Sequence, residues 1–263
     1  MPAHQGRPTR ARSDARIPPF ARKNYEDLAS GRVLMSLPGA TAFPVRLASE
    51  IFVQCVAHLG RKRRPRSFHL YDPTCGGGYM AAVLGFLHAG HLRKISASDI
   101  DGDAIRLAAK NLALLNETGL AERERQLRQH LANFGKASHA GALESVGHIR
   151  RQFLDRSRRV EVDVFKADAL DPVAVQQGLA GEIPDIIFAD VPYGRQSSWR
   201  ASQPQDTDAC LASRLLSSLA DLDLSGSIVA IATSKDEKFA HPRYRRIRVV
   251  RAPHRKVTLL EQA

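Results

Sequence analysis

The chain has 263 residues, 43% hydrophobic and 25% charged, enough for one sizeable core and too apolar for a disordered polymer. Its three cysteines, Cys55, Cys75 and Cys210, are odd in number and lack a C-x-x-C spacing, which argues against a disulfide framework or a zinc site, and no apolar run approaches the roughly 18 residues of a membrane helix. The net charge of +12 is segregated: residues 1–23, 61–66, 122–159 and 243–256 carry +22 and leave −10 for the rest, a pattern that suits a nucleic-acid partner, with a generic solvated surface as the alternative.

Residues 1–23 read as a basic flexible tail with too few apolar positions to order itself, and 24–263 as a single domain. Tyr25 to Pro44 is a structured lead-in. Val45 to Leu59 then places Leu47, Ile51, Phe52, Cys55 and Leu59 at helical spacing, and this helix is expected on the sheet edge beside a cofactor. Ser67 to Tyr71 is a short strand, Asp72 to Tyr79 reads D-P-T-C-G-G-G-Y, and Met80 to His88 is a buried helix. Strand, glycine-rich turn and helix form the first unit of a nucleotide-binding α/β domain. Gly76, Gly77 and Gly78 can take positive φ and let backbone lie against a ligand. The spacing is not G-x-G-x-x-G and no Gly-Lys-Ser/Thr follows, so a phosphate-cradling loop is disfavoured. An adenosine-type cofactor and a plain tight turn both remain open.

Lys94 to Ser98 is a second strand ending in Asp99, 27 positions beyond Asp72. A carboxylate there can accept ribose hydroxyls; a solvated turn acid is the alternative. A helix follows through Leu115. Glu117 to Arg159 is too long for a loop and too charged for core, and reads as two surface helices around Gly135 to Gly141, an insertion near the rim. Val160 to Phe165 is a third strand, with Asp168 beyond its end either meeting an adenine amino group or capping a helix before Pro172. Ile186 to Phe188 is a buried fourth strand, followed by Asp190, Pro192 and Tyr193. A helix within Pro204 to Leu222, a fifth strand at Gly226 to Thr233 and a pair at Arg246 to Val250 and Lys256 to Leu260 complete a mostly parallel sheet. Ligands of such sheets gather at the carboxyl ends of the strands.

The glycine turn after strand one, together with Asp-x-Pro-Tyr after strand four, resembles the class I S-adenosylmethionine-dependent methyltransferases. Members acting on amino groups carry D/N-P-P-Y at the second position, and here Val191 replaces a proline. More narrowly, A-F-P-V-R-L-A-S-E-I-F from Ala42, D-P-T-C-G-G-G-Y from Asp72, A-A-K-N-L-A-L-L from Ala108, N-F-G-K from Asn133 and D-V-P-Y-G from Asp190 resemble the AviRa type of avilamycin-resistance 23S rRNA guanine methyltransferases. This likeness runs from about Val33 to Ala232; the basic tail and Arg243 to Lys256 look less like the family.

The resemblance implies a Rossmann-like, seven-stranded, mostly parallel sheet with helices on both faces and a helical insertion at about 117–159, between strands two and three. It implies a cytoplasmic, monomeric enzyme that methylates a guanine, at ring N1, in 23S rRNA or the large ribosomal subunit, protecting it from orthosomycin antibiotics. For S-adenosylmethionine it implies Asp72, Pro73, Cys75, Gly76 and Gly78 at the methionine end, Asp99 at the ribose, and Asp168 with Ala169 at the adenine. Asp190, Pro192 and Tyr193 would face the base as catalytic residues. Arg195, Trp199 and Arg200 place a lone tryptophan between arginines, suited to stacking on RNA or to anchoring its own loop. No metal cluster emerges from the scattered histidines, and His69 reads as core. A tRNA guanine, a protein glutamine, or RNA binding without catalysis are the competing functions.

Overall fold

The structure is a computed structural model that describes residues 25–29, 31–37, 39, 41–62, 67–154, 159–191 and 210–263. Its strands are β1 (Phe68–Asp72), β2 (Leu92–Asp99), β3 (Glu161–Lys166), β4 (Ile186–Asp190), β5 (Ile228–Ser234), β6 (Tyr244–Arg251) and β7 (Arg255–Gln262). They form one sheet in the order β3-β2-β1-β4-β5-β7-β6. Strands β1 to β5 pair in parallel, and β7 lies antiparallel between β5 and β6. The three residues between β6 and β7 allow only an antiparallel hairpin, whereas each parallel crossover contains a helix. This is the seven-stranded Rossmann-like arrangement expected from the sequence.

The helices are α1 (Val45–Lys62), α2 (Tyr79–His88), α3 (Gly102–Ala113), α4 (Glu117–Phe134), α5 (Ala137–Leu154), α6 (Pro172–Gly178) and α7 (Leu211–Ala220). Side chains alternate across the pleat, so Ile186 and Phe188 of β4 enter one core and Ile187 and Ala189 the other. Helices α1, α2 and α3 close the first core; α6 and α7 close the second. Helix α1 sits at the end of the sheet whose edge strand is β6. It lies over the antiparallel end, where Arg248 Nη1 of β6 donates to Gln54 Oε1 at 3.1 Å and His58 faces Glu261 of β7 at 3.2 Å. A helix does begin at Pro172, α6, and its cap is Asp171, whose side chain accepts from Val173 and Ala174 N–H. Asp168 therefore does not cap it.

The β2–β3 crossover contains α3 and then the α4–α5 hairpin. Asn116 caps α4, accepting from Gly119 N–H at 2.9 Å, and Gly135 ends it at φ 61°, where a side chain would be strained. The break between α4 and α5 is only Gly135 and Lys136; Gly141, expected in the connection, lies inside α5. Leu120 and Leu127 of α4 and Ala142, Val146 and Ile149 of α5 are buried, while Arg150 pairs with Glu117 and Glu124 across the hairpin.

Candidate functional site

The sheet order sets four strand ends side by side. β3, β2, β1 and β4 are followed by, or end in, Asp168, Asp99, Asp72 and Asp190. Neighbouring strands are about 4.8 Å apart, so these acids span a trough of roughly 14 Å. Asp168 closes an Asx turn by accepting from Leu170 N–H at 2.9 Å. Asp99 accepts Gly76 N–H at 2.9 Å and Asp101 N–H at 3.0 Å, leaving one lone pair on each oxygen for a ligand hydroxyl. Ala169 packs in the second core, and its carbonyl accepts from Ser218 Oγ at 2.8 Å. Pro73 is buried beside Asp72.

The three glycines divide the labour of the turn. Gly76 has φ 50° and open space where a Cβ would stand, so it is the position at which a ligand can lie against backbone. Gly78 has φ 72°, and a Cβ there would fall 2.9 Å from Ala108 Cα, so it permits α2 to pack on α3. Gly77 takes no positive φ, contrary to the sequence expectation; a Cβ on it would meet Leu107 at 2.8 Å.

An open cleft of about 150 Å³ lies over this turn, bounded by Asp72, Cys75, Gly76, Tyr79 and Asp190 and, from the lead-in, by Met35 to Leu37 and Thr41 to Phe43. Asn111, a fully buried residue of α3, ties the two sides together. Its Oδ1 accepts Met35 N–H at 2.8 Å, and its Nδ2 donates to the carbonyls of Met35 at 2.8 Å and Gly77 at 2.7 Å. Arg123 of α4 donates to the carbonyls of Val33 at 2.9 Å and Arg32 at 3.0 Å, and Tyr79 Oη donates to that of Leu28 at 2.8 Å. The insertion thus braces the wall of the cleft. Sequence reasoning missed Asn111, although a lone amide among the apolar residues of A-A-K-N-L-A-L-L was a usable signal.

Asp190 enters the same cleft from the end of β4. Thr74 Oγ1 donates to its carbonyl at 3.4 Å, and Arg255 Nη1 of β7 meets its Oδ2 at 3.2 Å. The Arg255 guanidinium also lies 4.6 Å from the centroid of Phe43, a cation–π contact that fixes its plane. Asp190 Oδ1 is buried and has no hydrogen-bond partner among the described residues. Burial raises the Asp190 carboxyl to about 6, with Arg255 pulling the other way. Burial, followed by the nearby Asp190 and Asp99 charges, holds Asp72 well above the ordinary carboxylate range. Burial also keeps the Cys75 thiol protonated, unsuited to nucleophilic work. Val191, the departure from the proline motif, donates its N–H to Ala232 O at 3.1 Å; a proline would delete that ladder bond.

Of the residues expected at the site, the structure gathers Asp72, Cys75, Gly76 and Asp190 around the cleft, with Asp99 attached through Gly76. Gly78 and Ala169 serve packing. Pro192, Tyr193, Arg195, Trp199 and Arg200, like the tail at 1–23, lie outside the described residues. In the basic segment 243–256, Arg246, Arg248 and Arg251 are exposed, while other cations are engaged. Arg255 turns inward to Asp190, Arg243 pairs with Asp221 at 2.7 Å, Arg245 pairs with Glu261, and Lys256 donates to Glu237 O.

A family model described as rRNA methyltransferase AviRa matches residues 19–255. A 23S rRNA (guanine(2535)-N(1))-methyltransferase of Streptomyces viridochromogenes is 41% identical over 198 residues, spanning 75% of this chain and 78% of that protein. Two solved structures of the rRNA methyltransferase aviRa from the same organism align with a TM-score of 0.78, at 36% and 35% identity, over 91% of this chain and 93% of theirs.

Proposed function

The chain belongs to the AviRa family of rRNA methyltransferases, and on that premise we propose that it transfers a methyl group from S-adenosylmethionine to N1 of a guanine in 23S rRNA. The observation that carries this reading is Asp190. Its carboxylate lines the glycine-turn cleft with one oxygen on Arg255 and the other buried with no hydrogen-bond partner among the described residues. An unsatisfied buried acceptor is costly unless a ligand donor completes it, and a guanine N–H is such a donor.

The acids of the trough suit S-adenosylmethionine on charge. The Asp99, Asp168 and Asp190 carboxylates disfavour the phosphates of a dinucleotide or triphosphate and suit a ligand with sulfonium and ammonium groups. Asp99 would take the ribose, Asp168 with the adjacent backbone the adenine, and the Asp72 to Gly78 turn the methionine end. When bound, S-adenosylmethionine supplies an electrophilic methyl carbon. The chain's own task is alignment and one proton. Asp190 Oδ1 accepts the guanine N1–H, turns the ring nitrogen toward the cleft and receives the proton as the nitrogen gains its methyl. Arg255 holds the opposite oxygen, keeping the carboxylate ionised against the cost of burial. The proposal extends to Pro192, through its carbonyl, and Tyr193, through stacking, at the base, and to Arg195, Trp199 and Arg200 on the surrounding RNA.

Acting on ribosomal RNA, the enzyme would work in the cytoplasm, as a monomer; no described helix is long and apolar enough to cross a membrane. Protection from orthosomycins would be the cellular consequence. The test is transfer of labelled methyl to 23S rRNA, with tRNA and ribosomal protein as controls, and mapping of the product by mass spectrometry. Asp190→Ala should lower turnover at least about a hundredfold with S-adenosylmethionine affinity nearly intact. Methyl transfer to tRNA or protein alone, or no transfer at all, would overturn the reading.

A further inference from the structure

The tip of the α4–α5 hairpin carries features that the cleft does not use. Phe134 is 63% exposed there, the largest exposure among the large hydrophobic residues described. The rings of His130 and His139 flank it, with centroids 6.2 and 6.3 Å from its own and 5.5 Å from each other. Gly135 at φ 61° makes the chain reverse immediately after Phe134, and exposed Lys136 follows. His139 is partly covered, whereas Phe134 presents most of its side chain to solvent.

Charge is graded along the hairpin. The base carries Glu117, Glu122, Glu124 and Glu144, whereas residues 125–143 contain no acid, with Arg125, Arg128 and Lys136 and the two flanking histidines. Arg125 and Arg128 lean back onto Glu122 and Glu124, so Lys136 is the foremost cation. Arg123 of α4 already meets the lead-in that walls the cleft, and α4 runs eleven residues past it, roughly 16 Å, before the tip.

We propose that this tip is a second RNA contact, at which Phe134 stacks on an unpaired base of the substrate and Lys136 meets a neighbouring phosphate. Exposed aromatic surface framed by cations is what single-stranded RNA recognition requires, because every base has a stacking face and every nucleotide a charge. The inference rests on the rRNA reading given above. It assigns the insertion two ends with different tasks: the base braces the cleft wall through Arg123, and the tip reaches for substrate beyond the methylated base.

The test compares wild type, Phe134→Ala, Phe134→Tyr and Lys136→Ala on a 23S rRNA fragment, measuring methyl-transfer kinetics, direct RNA binding and melting temperature. Phe134→Ala should raise KM and Kd by about five- to a hundredfold, the value of one stacked base, with kcat, S-adenosylmethionine affinity and melting temperature unchanged. Phe134→Tyr should restore them, and Lys136→Ala should reduce the salt slope of binding by about one. Unchanged KM and Kd in Phe134→Ala would overturn the proposal while leaving the enzyme assignment intact. So would a defect seen on large-subunit particles and absent on naked RNA, which would make the partner a ribosomal protein. If wild type binds this RNA without methylating it, the catalytic reading fails and the tip is still judged by the Kd of Phe134→Ala; if it does not bind at all, both fall.

Discussion

Replacing Arg255 with methionine separates the chemistry of Asp190 from its mere presence. The ion pair at 3.2 Å is what opposes burial at a carboxyl that titrates at about 6. At pH 7 about nine-tenths of Asp190 is then ionised and able to accept a proton. Removing an opposite charge in contact raises a carboxyl by about one to three pH units, so the ionised fraction at pH 7 should fall by between about twofold and a hundredfold. The acid limb of the kcat/KM profile for methyl transfer should move upward by the same interval, with activity recovering in alkaline buffer. Arg255→Lys should lie between, since it keeps a charge and loses the planar contact with Phe43. A uniform drop from pH 6 to 9, with the acid limb at its wild-type position, would refute the argument and leave Arg255 as a packing residue.

The glycine turn makes a paired prediction. Gly78→Ala combines a left-handed alanine with a Cβ 2.9 Å from Ala108 Cα and should cost about 2–4 kcal/mol. Gly76→Ala, with open space at its Cβ, should cost only about 1–2 kcal/mol yet weaken S-adenosylmethionine binding; urea titration and ligand titration read the two, and equal destabilisation would contradict the division of roles. At the other end of the sheet, His69 is fully buried against Ser96 Oγ at 2.8 Å, and burial lowers it from 6.5 to about 4. Because the folded protein holds this imidazole neutral, its contribution is present above pH 6.5 and is lost as pH falls toward 4, up to about 3 kcal/mol. Denaturant midpoints at pH 7 and 4.5 should therefore differ less in His69→Gln than in wild type; an identical acid loss would exonerate His69.

The residues legible in the sequence are those whose meaning is local. A strand, a glycine-rich turn and a helix are contiguous, so Asp72 to Gly78 could be read as a cradle, and Asp190 could be placed at the end of a short apolar strand. Asp99 was found the same way. The individual glycines were not distinguishable, because only the approach of α3 shows that Gly78 is needed for packing and Gly76 for access. Asn111 and Arg255 escaped for the same reason: their partners are 76 and 65 residues away. Arg255 was counted with a basic surface because charge is visible in sequence and direction is not. In β7 it faces inward, where Asp190 and Phe43 meet it.

By itself the sequence determined the alternation of strands and helices, the charge segregation and the two motifs by which the chain resembles its family, since periodicity, glycine chemistry and net charge depend on neighbours along the chain. Only the tertiary structure decided which acids share a trough, which cation steadies Asp190, and that the insertion braces the cleft at one end and exposes Phe134 at the other. Those depend on strand order and helix packing, through which contacts far apart in sequence become adjacent in space.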